Sequence, residues 1–177
     1  MLGTMPRNRR EDTRRKLIQA ALETVAREGF EAASVDTIAR RAGFSVGALY
    51  SNFRNKDDLF FAVFDEHVAW FEAQLESATA ADDQIASFLE SIEQIALRPD
   101  QFLVFVEFWA YAVRKPKTRR QLAGRLAEMR GRVAEVVGDE RRALVTLATV
   151  RGLTLEKLAD SEAVPDDVLR ELATSAS

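Results

Sequence analysis

In residues 34–53, SVDTIARRAGFSVGALYSNF, Ser34 and Ser45 each stand ahead of an apolar pattern, with Gly43 between them. A serine in that position is a helix N-cap, because its hydroxyl accepts a backbone N–H that the first turn leaves unpaired. Ser34 therefore starts one short helix, with Val35, Ile38, Ala39 and Ala42 turned inward. Gly43 ends it, since glycine tolerates the left-handed backbone such a turn requires. Ser45 starts a second helix, anchored by Val46 and Leu49. Two short helices joined by a tight turn, with the small Ala39 at their crossing, predict a helix-turn-helix.

The rest of the chain follows the same period. Leu17, Ile18, Ala21, Leu22, Val25 and Ala26 predict a helix from Asp12 or Thr13 to Glu28, with Asp12 as cap and Gly29 at the C-terminal turn. Asn55 caps a long helix from Lys56 to about Ala78, with Asp57 and Asp58 favoured by the dipole in its first turn. Further helices are predicted at 83–97, 101–113, 117–137, 140–159 and 165–174, set apart by Pro99-Asp100, Lys115-Pro116, Gly138-Asp139 and Pro165. No alternating strand is found, so the fold class is all-α. The expected domains are a basic N-terminal arm (1–11), a three-helix helix-turn-helix domain (12–55) and a helical domain (56–177).

Charge and residue usage narrow the function. The net charge is −3, yet residues 1–60 hold 11 Lys or Arg against 8 Asp or Glu, while residues 61–177 hold 14 against 20. Only the face that meets phosphate needs to be positive. With no cysteine and one histidine, disulfides, thiolate metal sites and cysteine nucleophiles are excluded. No Ser/His/Asp set, glycine-rich phosphate loop or histidine cluster is present, so neither enzyme activity, cofactor nor metal is expected. The start, MLGTMPRNRREDTRR, has no apolar core, and the longest apolar run, Phe102 to Val113, is too short to span a bilayer and contains Glu107. A cytoplasmic protein without membrane contact is expected.

The helix-turn-helix suggests a DNA reader. With Val46 and Leu49 inward, Ser45, Gly47, Ala48 and Ser51 face outward, small enough to approach base edges. The Tyr50 hydroxyl, the Asn52 amide and Lys56 at the start of the long helix are candidate phosphate donors. The plainer alternative makes Tyr50 and Phe53 core aromatics and Lys56 a solvated charge; for Phe53, a wedge between helices, it is preferred. Arg7, Arg9 and Arg10 either reach the minor groove or belong to a solvated tail.

Residues 13–60 contain Ile18-x-x-Ala21, Gly29-Phe30, Ser34-Val35-x-x-Ile38-Ala39, Ala42-Gly43-Phe44-Ser45, Gly47-Ala48-Leu49-Tyr50, Phe53 and Lys56-x-x-Leu59. With this set the segment resembles the DNA-binding domain of the TetR (tetracycline-repressor) family of bacterial transcriptional regulators. The resemblance implies that Ser45, Gly47, Ala48 and Ser51 lie at or near bases and that Thr37, Tyr50, Asn52 and Lys56 contact phosphates. It further implies a homodimer on a palindromic double-stranded operator, more often repressing than activating, and an unknown small-molecule effector.

For residues 61–177 two surfaces are expected. Dimer candidates are Leu144, Leu147, Leu155 and Leu158, the small face at Ala148, Thr149 and Gly152, and Arg151, Val168 and Leu172. The alternative is that the leucines complete the protomer's own core. Candidates for a pocket that binds a small apolar or amphipathic ligand are Phe64, His67, Phe71, Phe88, Phe105, Glu107 and Trp109. Glu107 draws attention because a carboxylate in an apolar helix needs a partner. An aromatic stripe at helical spacing also fits an ordinary core. Two competing classes remain: a helical adaptor that kept the shape without its use would lack salt-sensitive specific DNA binding, and an enzyme would show turnover without DNA.

Overall fold

The computed structural model describes residues 6–79, 99–165 and 168, and among the described residues it holds seven helices and no strand. In chain order these are α1 (Pro6–Glu28), α2 (Val35–Arg41), α3 (Val46–Asn52), α4 (Lys56–Thr79), α5 (Pro99–Val113), α6 (Pro116–Val137) and α7 (Glu140–Ala159). The all-α class expected from the periodicity is what is found. The helices expected at 83–97 and 165–174 lie outside the described residues, apart from Pro165 and Val168.

The local signals act as their chemistry requires. The Ser34 hydroxyl accepts the Thr37 N–H at 3.1 Å, and the Ser45 hydroxyl accepts the Ala48 N–H at 3.1 Å. Asn55 and Asp139 cap α4 and α7 by accepting the N–H groups of Asp58 and Arg142. Gly43 has φ +77°. Its N–H donates to Arg40 and that of Phe44 reaches back to Ala39, the paired closure of a Schellman turn.

One boundary differs from the expected one. Helix α1 begins at Pro6, not at Asp12. Asp12 is no cap; it lies within the helix, paired with Arg15 at 2.6 Å. The apolar period starts only at Leu17, so the polar turns before it leave no periodic trace, although arginine and glutamate favour helices. Much of the expected arm is therefore helical.

The described residues divide into two compact units, those within 1–67 and 103–118, and those within 68–102 and 119–177. The expected boundary at Lys56 does not coincide with this division, because residues 103–113 of α5, the turn after it and the first residues of α6 group with the N-terminal helices. In the first unit α1, α2 and α3 pack on one another. Leu17, Ala21, Val25, Ile38, Leu49, Phe53, Leu59 and Phe60 are buried there. Phe30 sits between Phe60, Phe108 and Tyr111, with ring centroids 4.5, 5.7 and 4.3 Å away. In the second unit the inner face of α6 is Leu122, Leu126, Met129 and Val133, and that of α7 is Ala143, Leu147, Val150 and Thr154. No helix of the described residues is long and apolar enough to cross a membrane.

Candidate nucleic-acid interface

Leu49 is fully buried and fixes which way α3 faces. With that residue inward, Ser45, Gly47, Tyr50 and Ser51 are exposed, and Ala48 is half-buried beside them. Tyr50 is 51% exposed, large for an aromatic ring on a folded domain. Five candidate residues thus share the outer side of one short helix and its cap. Apart from the tyrosine they are small, which leaves the α3 backbone open to a close approach.

The remaining candidates are more constrained than their sequence positions suggest. Thr37 is half-buried, and its hydroxyl accepts from Ser34 at 3.0 Å and from Arg40 at 3.4 Å. Its own proton stays available to an acceptor. The Asn52 amide, expected to donate to phosphate, turns back onto its own helix. It donates to the Ala48 carbonyl at 2.8 Å and to the Ser51 hydroxyl at 3.4 Å. Lys56 is half-buried; its ammonium donates to the Phe30 carbonyl at 2.7 Å and lies 4.5 Å from the centre of the Phe30 ring. Burial, and then the nearby Lys115 charge, hold the Lys56 ammonium below its ordinary pKa. One of its three protons is therefore committed to the corner between α1 and α2.

Three features escaped the sequence reading. Arg10 and Arg14, one turn apart on α1, donate to the carbonyls of Ser51 and Asn52 at 3.3 Å each. Arg54 pairs with Asp58 at 3.0 Å, and that hydrogen bond holds the Asp58 carboxyl below its ordinary value of 3.8. At the base of α4, Asp57 accepts the hydroxyls of Tyr111 and Thr118 at 2.7 Å each, and the Lys115 ammonium donates to the same tyrosine oxygen. Burial raises the Tyr111 phenol above its ordinary pKa. The four-residue spacing of Arg10 and Arg14 was a usable signal; Asp57 gave none.

The expected ligand residues separate. Phe64 and Phe105 stack at 5.5 Å, and Phe105 meets Trp109 edge-on at 5.2 Å, so these three do come together. Glu107 does not join them. Its carboxylate accepts the Phe30 N–H and lies against Gly29, which answers the need for a partner that had suggested a ligand. Phe88 lies outside the described residues, as do the side chains of His67 and Phe71.

The expected dimer stripe also separates. Leu147 is 5% exposed and belongs to the protomer core, which corrects its place on an interface. Leu144 and Leu155 are 53% and 45% exposed, and Ala148 and Gly152 lie between them on the same exposed side of α7. Leu158 and Val168 are half-buried. Arg151 is half-buried too; one of its N–H groups reaches the Met129 sulfur at 3.4 Å, and burial lowers its pKa to about 10. Leu172 lies outside the described residues.

Both halves of the chain are similar to known proteins. The model of bacterial regulatory proteins of the tetR family matches residues 17–63, and that of the C-terminal part of BetI-type transcriptional repressors matches residues 81–176, more than half of the chain. The fatty acid metabolism regulator protein of Bacillus subtilis (strain 168) is 34% identical over 61 residues, which are 34% of this chain and 31% of that protein. The match thus spans less than a third of that relative's length, and the same holds for several others. Among solved structures, a transcriptional regulator from Rhodococcus sp. Rha1 superposes with TM-score 0.76 at 25% identity over 92% of both chains. A regulator from Saccharomonospora viridis, solved in complex with choline, superposes with TM-score 0.71 at 18% identity over 93% of this chain and 95% of that one. The chain belongs to the TetR family of bacterial transcriptional regulators, DNA-binding proteins rather than enzymes.

Proposed function

We propose that this regulator is a repressor that reads a palindromic operator through the outer side of α3 and leaves it when a small apolar or amphipathic molecule binds. The observation that carries the reading is the exposed side at Ser45, Gly47, Tyr50 and Ser51, held outward by the buried Leu49. Ala48 lies on the same side, and Thr37, Tyr50 and Lys56 have protons to offer phosphates. A dimer fits the pair of half-sites that recognition helices of this kind address, and the exposed Leu144, Ala148, Gly152 and Leu155 supply an apolar, close-approach surface for it. The ligand reading is supported by Phe64, Phe105 and Trp109 and by the choline held in a relative of the same fold. A ligand that prefers one tilt of α4 would change the spacing of the two reading helices, and affinity would change by its preference between the two states.

The test is a fluorescence-anisotropy titration against the DNA flanking the protein's own gene, beside a scrambled duplex, across a salt series. Saturable binding to the native duplex alone, with a steep salt dependence, is the expected result. Equal weak binding to both would remove that duplex as the operator. Operator affinity that stays the same with a tightly bound ligand would remove the release mechanism for that ligand.

A further inference from the structure

Helix α3 has seven residues and no cation of its own in its last turn. The last carbonyls of any helix lack partners within it, and the helix dipole makes that end negative. In this protein the cations come from another helix. Arg10 and Arg14, four residues apart on one side of α1, donate to Ser51 and Asn52, the last two residues of α3. The Arg14 guanidinium also lies 4.5 Å over the ring of Phe53, the buried C-cap of the same helix. The N-terminal turns of α1 add little to the core, since Arg9, Arg10 and Glu11 are exposed. Their position carries two guanidinium groups to the end of α3.

We propose that Arg10 and Arg14 are positioning residues for sequence reading: they grip the C-terminal carbonyls of α3 and so fix the angle at which Ser45, Gly47, Tyr50 and Ser51 meet the bases. The proposal rests on the reading of α3 as the helix that meets DNA. It assigns these arginines a role other than phosphate contact, and the two roles differ in what they change. A phosphate contact weakens all sequences alike and contributes to the salt slope. A positioning contact changes the difference between sequences, because base edges are read at fixed geometry.

The experiment uses the full-length protein and the duplex that the wild type selects from a random pool. Arg10→Gln, Arg14→Gln and the double variant are titrated against that duplex and a scrambled one over a salt series. Amide hydrogen exchange is followed in the DNA-free proteins. Arg10→Gln separates loss of the α3 contact from loss of charge near Asp58, since it leaves in place Arg14, which favours the ionised form of that carboxylate. The expected result is a fall of about tenfold in the affinity ratio of selected to scrambled duplex in the double variant, comparable to one misplaced base contact. The salt slope stays the same, and the amides of Leu49 to Phe53 exchange faster while those of α2 do not. Arg14→Lys, which keeps the charge but not the flat guanidinium over Phe53, recovers part of the ratio.

An unchanged ratio with a salt slope reduced by about one per arginine would overturn the proposal in favour of phosphate contact. An unchanged ratio with unchanged α3 exchange would also overturn it. A wild type that selects no duplex would instead overturn the reading of α3; the exchange rates would still decide whether the arginines hold that helix.

Discussion

The carboxylate of Glu107 accepts the backbone N–H of Phe30, 77 positions earlier in the chain. Phe30 is buried, so this N–H has little recourse to water. Glu107→Leu is expected to lose roughly 1–3 kcal/mol of unfolding free energy by leaving the donor unmatched. Glu107→Gln keeps an acceptor oxygen and should lose less. Urea denaturation of the three proteins measures this; equal midpoints would show that the bond contributes nothing.

Lys56 holds the same corner from the other side, through the Phe30 carbonyl and ring. Lys56→Ala is expected to lower stability by about 1–2 kcal/mol, one hydrogen bond to a charged group with its ring contact. It should also flatten the salt dependence of DNA binding by about one unit. A stability loss with the salt slope unchanged would make Lys56 a purely structural residue, and a loss confined to one base position would contradict the phosphate role.

Asp58 gives an acid dependence with a definite sign. Its carboxyl lies below its ordinary 3.8 in the folded protein, chiefly through the hydrogen bond from Arg54. The stabilisation is therefore fully present above that value and disappears as pH falls through the lower, folded-state pKa. In unfolding titrations the gap between wild type and Asp58→Asn should be constant near neutrality and close below about pH 4. A gap that persists into stronger acid would mean that charge is not its source.

At Gly43 a new Cβ meets nothing within 4 Å, so space is not the constraint; φ +77° is. Gly43→Ala should cost about 1–2 kcal/mol from left-handed strain alone. Differential scanning calorimetry would show a lower melting temperature, and an unchanged one would mean that the turn relaxes.

For the proposed dimer, Leu144→Glu with Leu155→Glu places two charges on the exposed side of α7. Sedimentation should then report a monomer whose melting is little changed, since both side chains are already about half exposed. A double variant that still sediments as a dimer would place the interface elsewhere.

What the sequence by itself determined was local. Ser34, Gly43, Ser45 and Asn55 announce helix starts and stops because a cap or a positive φ is decided within a few residues. Apolar spacing revealed the all-α class, and the buried Leu49 shows which side of α3 it left outside. Where the spacing was silent, before Leu17, the start of α1 was missed.

Tertiary structure decided which side chains are spent on the fold. Leu144 and Leu147 look alike in sequence, yet packing buries one and exposes the other. Asn52 and Lys56 carry donors suited to phosphate, yet the carbonyls of Ala48 and Phe30 take up part of that capacity. Glu107, Asp57, Arg10 and Arg14 meet partners 38 to 77 positions away along the chain. A polar group has many potential partners in an extended chain, and only the packing of apolar faces brings one of them within hydrogen-bonding distance.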